Sequence, residues 1–334
     1  MKKPTIAVVG ATGAVGQTIF KVLEERNFPF ERIVPLASTR SAGKKIVFSG
    51  QEYEIMDLGT FDFKGVDLAL FSAGGDVSLK FAPKAAKAGA VVVDNTSAFR
   101  MEPDVPLVIP EVNPQAAKNR PRGIIANPNC STIQMLVALS PLHRRSPIKR
   151  IIVSTYQAVS GAGLRAIEEL KTSSQSILNG NTPKPGPVFS HVIAFNCLPQ
   201  IDKFMDDGYT KEEHKMMNET RKILEDDSIK VSATCVRVPV EMGHAESINV
   251  ETESPVSVTE IREILAGSPG VEIIDDPSRL EYPLQSNCAG KDITYVGRIR
   301  KDPSNSNCLD MWVVADNLRK GAATNAVQIG ELLL

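Results

Sequence analysis

A chain of 334 residues has room for two domains with separate hydrophobic cores. Hydrophobic residues at 42% and charged residues at 23% suit an ordinary globular protein, and a formal net charge of -1 leaves no electrostatic footprint for nucleic acid or an anionic membrane. Five cysteines, odd in number and without CxxC spacing, argue against a disulfide framework or a cysteine metal site, and four histidines against a multi-histidine metal centre.

The amino-terminal stretch Met1-Lys2-Lys3-Pro4 followed by Ile6-Ala7-Val8-Val9 has too short an apolar run for a secretory leader, and the expectation is a cytoplasmic protein. Residues 5–9 read as a first strand, and Val15, Ile19, Val22 and Leu23 fall on one face of a following helix. Residues 33–37, 67–71 and 90–93 continue as strands, with a helix over 80–88. Such alternation predicts a parallel sheet covered by helices on both faces. Residues 123–126 form a short buried strand, and a helix opens at Asn127-Pro128-Asn129-Cys130-Ser131-Thr132.

The pattern changes after about residue 150. Strands are expected over 149–156, 231–240, 244–253, 293–300 and 309–315, with a helix over 164–178 and a Gly/Pro/Asn-rich loop over 179–187. Thr210-Lys211-Glu212-Glu213 is a capping box opening a helix to about residue 224, and residues 318–334 read as a closing helix. The second half is therefore a mixed sheet with helices, distinct from the first.

Gly10-Ala11-Thr12-Gly13-Ala14-Val15-Gly16 lies at the first strand-to-helix turn. Glycines there let the backbone approach a pyrophosphate, which the helix N-terminus favours. The GxxGxxG spacing is looser than GxGxxG, and a turn shaped only by packing is the bland reading. After the second strand, Ser38-Thr39-Arg40-Ser41 offers hydroxyls and a cation where an NAD site usually places an acid. That favours NADP, against a merely solvated arginine.

Cys130 stands in the first turn of its helix, where unpaired N–H groups and the dipole favour the thiolate. Its bland reading is a small buried residue. Among the histidines His244 is best placed, following Gly243 between two strands, although a structural histidine fits equally. Arg237 is a lone cation in the apolar strand Cys235-Val236-Arg237-Val238, to be met by a substrate carboxylate or by an internal acid. Gln157 ends its strand before a glycine-rich rim. Arg100 follows Asp94-Asn95-Thr96-Ser97-Ala98-Phe99 at a parallel strand's carboxyl end, where open α/β sheets bind ligands. Glu212 and Lys215, spaced i, i+3, read first as an exposed ion pair.

Together these motifs resemble those of the aspartate-semialdehyde dehydrogenase family, from Ile6 to the last helix. The likeness runs through Gly10–Gly16, Ser41-Ala42-Gly43, Asp94–Arg100, Asn127–Thr132, Tyr156–Gly163, Ala194-Phe195-Asn196, Arg237–Val240 with Gly243-His244, and the run from Asp316 to Ile329. The resemblance implies an α/β protein: a Rossmann-type doubly wound NADP domain over 1–127, completed by about 316–334, and an α+β catalytic and dimerisation domain over 128–315. It implies NADPH-dependent reductive dephosphorylation of aspartyl β-phosphate to aspartate β-semialdehyde, serving lysine, methionine and threonine biosynthesis in a homodimer. Cys130 would be the nucleophile, His244 the acid/base, and Gln157 would orient the acyl group. Arg237 would hold the α-carboxylate, Glu212 the amine, and Arg100, Lys215 and Asn95 the phosphate. The cofactor would meet Gly10 to Val15, Ser38 to Ser41, Ser72, Ala73, Gly161 and Asn317. The nearest alternative is N-acetyl-γ-glutamyl-phosphate reductase, where glycine usually precedes the cysteine in place of Asn129. An inactive NADP-binding homologue should have lost Cys130 or His244.

Overall fold

Apolar runs short enough to cross a core once are what this chain uses as strands, and their order sets the architecture. The structure, a computed structural model, describes residues 3–334; Met1 and Lys2 of the amino-terminal stretch read above lie outside the described residues. The chain forms two compact units, Met1–Asn129 with Ala322–Leu334, and Cys130–Gly321.

In the first unit β1 (Thr5–Val9) is wholly buried and leads through the glycine turn into α1 (Ala14–Glu25). There follow β2 (Arg32–Ala37), a hairpin of β3 (Lys45–Phe48) and β4 (Gln51–Glu54), the short β5 (Met56–Asp57), β6 (Leu68–Phe71), α2 (Gly75–Lys87), β7 (Val91–Asp94) and β8 (Ile124–Ala126). The sheet is parallel throughout, in the order β5-β2-β1-β6-β7-β8. The hairpin escaped the sequence reading because its residues are mostly exposed. Ser49 and Gly50 supply its turn, both at positive φ (48° and 73°), which suits a two-residue hairpin.

The second unit opens with α3 (Cys130–Arg145), whose residues from Ser131 to Leu142 are all buried, as befits a helix running through a core. It continues with β9 (Ile148–Gln157), α4 (Leu164–Leu178), α5 (Lys211–Leu224), β10 (Lys230–Arg237), β11 (His244–Thr252), α6 (Val258–Ala266), β12 (Val271–Ile273), α7 (Gln285–Cys288), β13 (Thr294–Lys301) and β14 (Cys308–Ala315). Their sheet runs β10-β9-β11-β14-β13-β12, with parallel pairs at both ends and antiparallel pairs between.

Register makes the buried face of this sheet a polarity gradient. Residues paired in register point to one face, so each row can be read across the strands. Val231, Ile151, Val250 and Leu309 form an apolar row, followed by Ala233, Val153, Ile248 and Met311. The third row is Cys235, Thr155, Glu246 and Val313. In the last, Arg237 pairs with Gln157 and His244 with Ala315. Three chemistry-bearing side chains thus arrive at one end of one face.

The expected closing helix differs in form. Arg319–Ala323 makes a wider π-type turn, and only then does α8 (Thr324–Glu331) begin. Residues through Gly321 belong to the second unit, and the return to the first starts at Ala322. In the first unit's core, Ala323, Ala326, Val327 and Ile329 join Ile6, Val8, Ile19, Leu23, Leu70 and Val93.

Candidate active site

Cys130 is the first residue of α3 and is partly exposed. The backbone presses close to it: a β-carbon on Gly321 would stand 2.8 Å from the Cys130 Cβ, so only glycine fits there. Arg237 is buried, which lowers its pKa, and negative charge on Glu212 and then on Cys130 opposes that shift without cancelling it.

The two ends of Ala158 organise the site. Its carbonyl accepts from Arg237 Nη1 at 2.7 Å, and its N–H donates to His244 Nδ1 at 3.0 Å. A backbone N–H can only donate, so Nδ1 is an acceptor and the neutral ring carries its hydrogen on Nε2. That atom is buried and has no protein partner. Burial, then the Arg237 cation, lowers the His244 pKa from 6.5 to about 3. The imidazole is therefore neutral at physiological pH.

Gly161 closes the group, since a β-carbon there would lie 2.9 Å from Arg237 Nη1 and 3.3 Å from His244 Nε2. Arg237 makes no ion pair within 4 Å among the described residues, and Glu212 acts on it only at longer range. Asn317 is buried, its Oδ1 accepting from Gly243 N–H at 2.9 Å and its Nδ2 meeting Ser160 Oγ at 2.9 Å. It ties together the two loops that flank His244.

Gln157 donates from Nε2 to Glu212 Oε1 at 3.2 Å and accepts from Thr155 Oγ1 at 3.2 Å. Glu212 also meets Lys215 Nζ at 2.9 Å, and Lys215 reaches Asp202 at 2.9 Å. The expected exposed pair is instead largely buried, with side-chain exposures of 19% for Lys215 and 7% for Glu212. Desolvation would lower the Lys215 pKa, but the Glu212 and Asp202 carboxylates outweigh it and raise it. Glu213 faces elsewhere, accepting from the N–H groups of Thr210 (2.6 Å) and Cys235 (2.8 Å). Its neighbour Glu212 alone meets Gln157.

In the first unit, Arg100 is buried and donates to the carbonyls of Asn127 and Asn95, each at 2.9 Å. The Asn95 Oδ1 accepts from Asn127 Nδ2 at 2.5 Å, while its own Nδ2 is buried without an acceptor. The glycine turn is tightly built: a β-carbon on Gly16 would lie 2.1 Å from the Gly10 oxygen, and one on Gly10, at φ +92°, would meet Ser72 Oγ at 2.9 Å and Ala73 N at 3.0 Å. Gly13 caps α1 without any side-chain hydrogen bond. Ser38, Thr39 and Arg40 are exposed and Ser41 is half-buried.

Sequence reasoning missed Ala158, because it acts through backbone atoms. It placed Gly161 and Asn317 at the cofactor, whereas their contacts within this unit are to Arg237, His244, Ser160 and Gly243.

A family model described as the semialdehyde dehydrogenase NAD binding domain matches residues 5–120, and one described as the semialdehyde dehydrogenase dimerisation domain matches 139–320. The aspartate-semialdehyde dehydrogenase of Aquifex aeolicus (strain VF5) is 59% identical over 331 residues, covering 98% of this chain and 97% of that protein. That of Bacillus subtilis (strain 168) is 52% identical over 335 residues, covering 98% and 96%. Among solved structures, Vibrio cholerae aspartate semialdehyde dehydrogenase II complexed with ASA superposes with a TM-score of 0.97 at 52% identity, covering 100% of this chain and 98% of that one. The Candida albicans enzyme with NADP gives 0.77 at 26% identity, covering 99% and 98%.

Proposed function

The chain belongs to the aspartate-semialdehyde dehydrogenase family, and we propose that it converts aspartyl β-phosphate to aspartate β-semialdehyde through a thioester on Cys130. The observation that carries this reading is Arg237, a buried guanidinium with no ion pair among the described residues, beside the neutral His244 and within electrostatic reach of the thiol. A bidentate fork so placed suits an amino acid's α-carboxylate, and Glu212 beside Gln157 suits its ammonium group. Arg100, Asn95 and Lys215 are assigned to the phosphate; the free Nδ2 of Asn95 beside Arg100 supports an anion there.

The thiolate of Cys130 attacks the acyl carbon, the bond from that carbon to the phosphate oxygen breaks, and phosphate leaves with the electron pair. Gln157 orients the acyl group. His244 offers its Nε2–H to the oxygen that becomes negative, acting as a neutral donor because Ala158 occupies Nδ1. When the oxyanion collapses and the C–S bond breaks, the thiolate is restored opposite Arg237.

A nicotinamide dinucleotide fits the first unit, where the Gly10–Gly16 cradle and the side-chain-free cap of α1 leave backbone N–H groups for its phosphates. When bound, its nicotinamide supplies the hydride that turns the thioester into a thiohemiacetal. We assign NADP, on the exposed Arg40, which pairs with no described residue. The nearby Asp57 is already occupied by the Thr39 hydroxyl (3.0 Å) and the Gly59 N–H (2.9 Å). NADP in the Candida albicans structure agrees. Gly161 and Asn317 would serve the nicotinamide side through the loops they hold. The first unit is then the cofactor domain and the second the catalytic and dimerisation domain of a homodimer. No helix among the described residues is long and apolar enough to cross a membrane. A cytoplasmic location accords with five free cysteines, one of them the nucleophile.

The test is NADP⁺ reduction by aspartate semialdehyde with and without phosphate, beside N-acetylglutamate semialdehyde. Phosphate-dependent turnover of the first substrate alone is expected, and its loss in Cys130→Ala. Turnover by that variant would remove Cys130 from the chemistry.

A further inference from the structure

Glu246 lies two residues beyond His244 on β11 and is completely buried. It occupies the third row of the sheet, between Thr155 and Val313, next to the row that carries Arg237, Gln157 and His244. Neither of its carboxyl oxygens has a hydrogen-bond partner among the described residues. The group that faces it is the amide of Gln134 on α3, whose approach favours the carboxylate but is outweighed by burial.

Gln134 is incomplete in the same sense. Its Nε2 donates to the main-chain carbonyl of His244 at 3.3 Å, which fixes the orientation of the amide. Its Oε1 is then left buried without a donor. Three buried acceptor oxygens, two on Glu246 and one on Gln134, are therefore left without a donor. No structure tolerates that without cost, and a single proton on Glu246 repairs it by letting the acid O–H donate to Gln134 Oε1.

The charges around the carboxyl do not favour its ionised form. Titratable groups near it are Cys235 on β10, His244 on its own strand, and Glu212 and Glu213 of α5 beyond Cys235. Thr155 on β9, Val313 on β14 and Gln134 on α3 contribute no charge, and no cation among the described residues pairs with it.

We propose that Glu246 is held as a neutral carboxylic acid and acts as a positioning residue, fastening the thiol-bearing helix to the backbone of His244 through Gln134. Gln134 stands one helical turn after Cys130 on the same face of α3, so the link fixes that turn. The chain Glu246, Gln134, His244 carbonyl thus sets how far the thiol stands from the imidazole. The catalytic part of this proposal rests on Cys130 and His244 doing the chemistry; the protonation state of Glu246 does not. Burial, which pushes this carboxyl well above the usual carboxylate range, agrees with the geometry.

The experiment compares the full-length protein with Glu246→Gln, Glu246→Ala and Gln134→Ala. An infrared band of a protonated carboxyl should be present at neutral pH in the parent and missing in Glu246→Gln. A raised carboxyl pKa means stability is lost as pH rises above the ordinary carboxylate range. The urea midpoint of Glu246→Gln should therefore exceed the parent's by a margin that widens from pH 6 to pH 9. In the phosphate-dependent assay, Glu246→Ala and Gln134→Ala should each lower kcat about ten-fold or more at unchanged KM, as a displaced reacting pair does. Glu246→Gln, which keeps an N–H to donate, should rescue kcat. If Glu246→Ala does not fold, Gln134→Ala and Glu246→Gln carry the same comparison. No acid band together with a pH-independent margin would overturn the neutral carboxyl, and an unchanged kcat in Gln134→Ala would overturn the positioning role. A parent without phosphate-dependent turnover would instead refute the proposed reaction, with the infrared and urea results still deciding the state of Glu246.

Discussion

Arg237 and His244 are held by opposite ends of the same peptide residue, and each is kept in a state that bulk water would not choose. Arg237 is a cation out of water that bonds the Ala158 carbonyl and pairs with no acid among the described residues. Replacing it by lysine keeps the charge and loses the fork, so KM for aspartate semialdehyde should rise roughly ten-fold or more. Steady-state kinetics checks this, and an unchanged KM would mean that the guanidinium serves the fold. His244 is neutral because burial, and then the Arg237 cation, disfavour a charged ring, while the Ala158 N–H occupies Nδ1. Its folded pKa of about 3 lies below the ordinary 6.5, so the unfolded chain binds the extra proton between those values. Its contribution is complete above pH 6.5 and is lost as pH falls toward 3. Urea midpoints at pH 7 and pH 5 should therefore fall more in the parent than in His244→Gln.

At the scale of elements, α5 shows how a cap serves a site. The Thr210 side chain accepts from Glu213 N–H at 3.3 Å, and Glu213 reaches back to Thr210 N–H and across to Cys235 N–H. This holds the first turn, and with it Glu212 against Gln157. Thr210→Ala should cost about 1 kcal/mol in urea unfolding and also raise KM, since the turn it frees carries Glu212, the proposed ammonium contact. The capping box was legible before any coordinates, as were the parallel strands, whose continuous apolar runs leave little else for those residues to be. The β3–β4 hairpin was not, because Lys45, Gln51, Glu52 and Glu54 are exposed and show no buried face. Helix α6 and strand β12 passed unnoticed for a similar reason, each burying few residues. Of the site, Cys130, Arg237, Gln157 and His244 were recognisable by residue type and position. Ala158 was not, because its function resides in atoms every residue has. The Glu246 row escaped too, because strand register is set by pairings between distant segments.

On the scale of the whole molecule, the first unit is assembled from two distant pieces of chain. Val327 and Ile329 are fully buried in its core, worth about 1.5–3 kcal/mol each. Asn325 adds a bond to Asn127 Oδ1 at 2.7 Å and one to the Val108 carbonyl at 3.0 Å. Arg26 is paired with Glu331 at 2.7 Å. Ending the chain after Gly321 should therefore abolish NADP⁺ binding and open residues 3–129 to protease, while fragments from 130–321 persist. Limited proteolysis with mass spectrometry reads this directly. The same feature orders events during synthesis. What the ribosome makes first is what can finish last, because the missing core residues follow the entire second unit. At about 5–20 residues per second, the interval is on the order of ten to forty seconds. Throughout it, Ile6, Val8, Leu70 and Val93 wait without their cover. The nascent chain then carries an unfinished parallel sheet beside a unit whose own sequence is already complete.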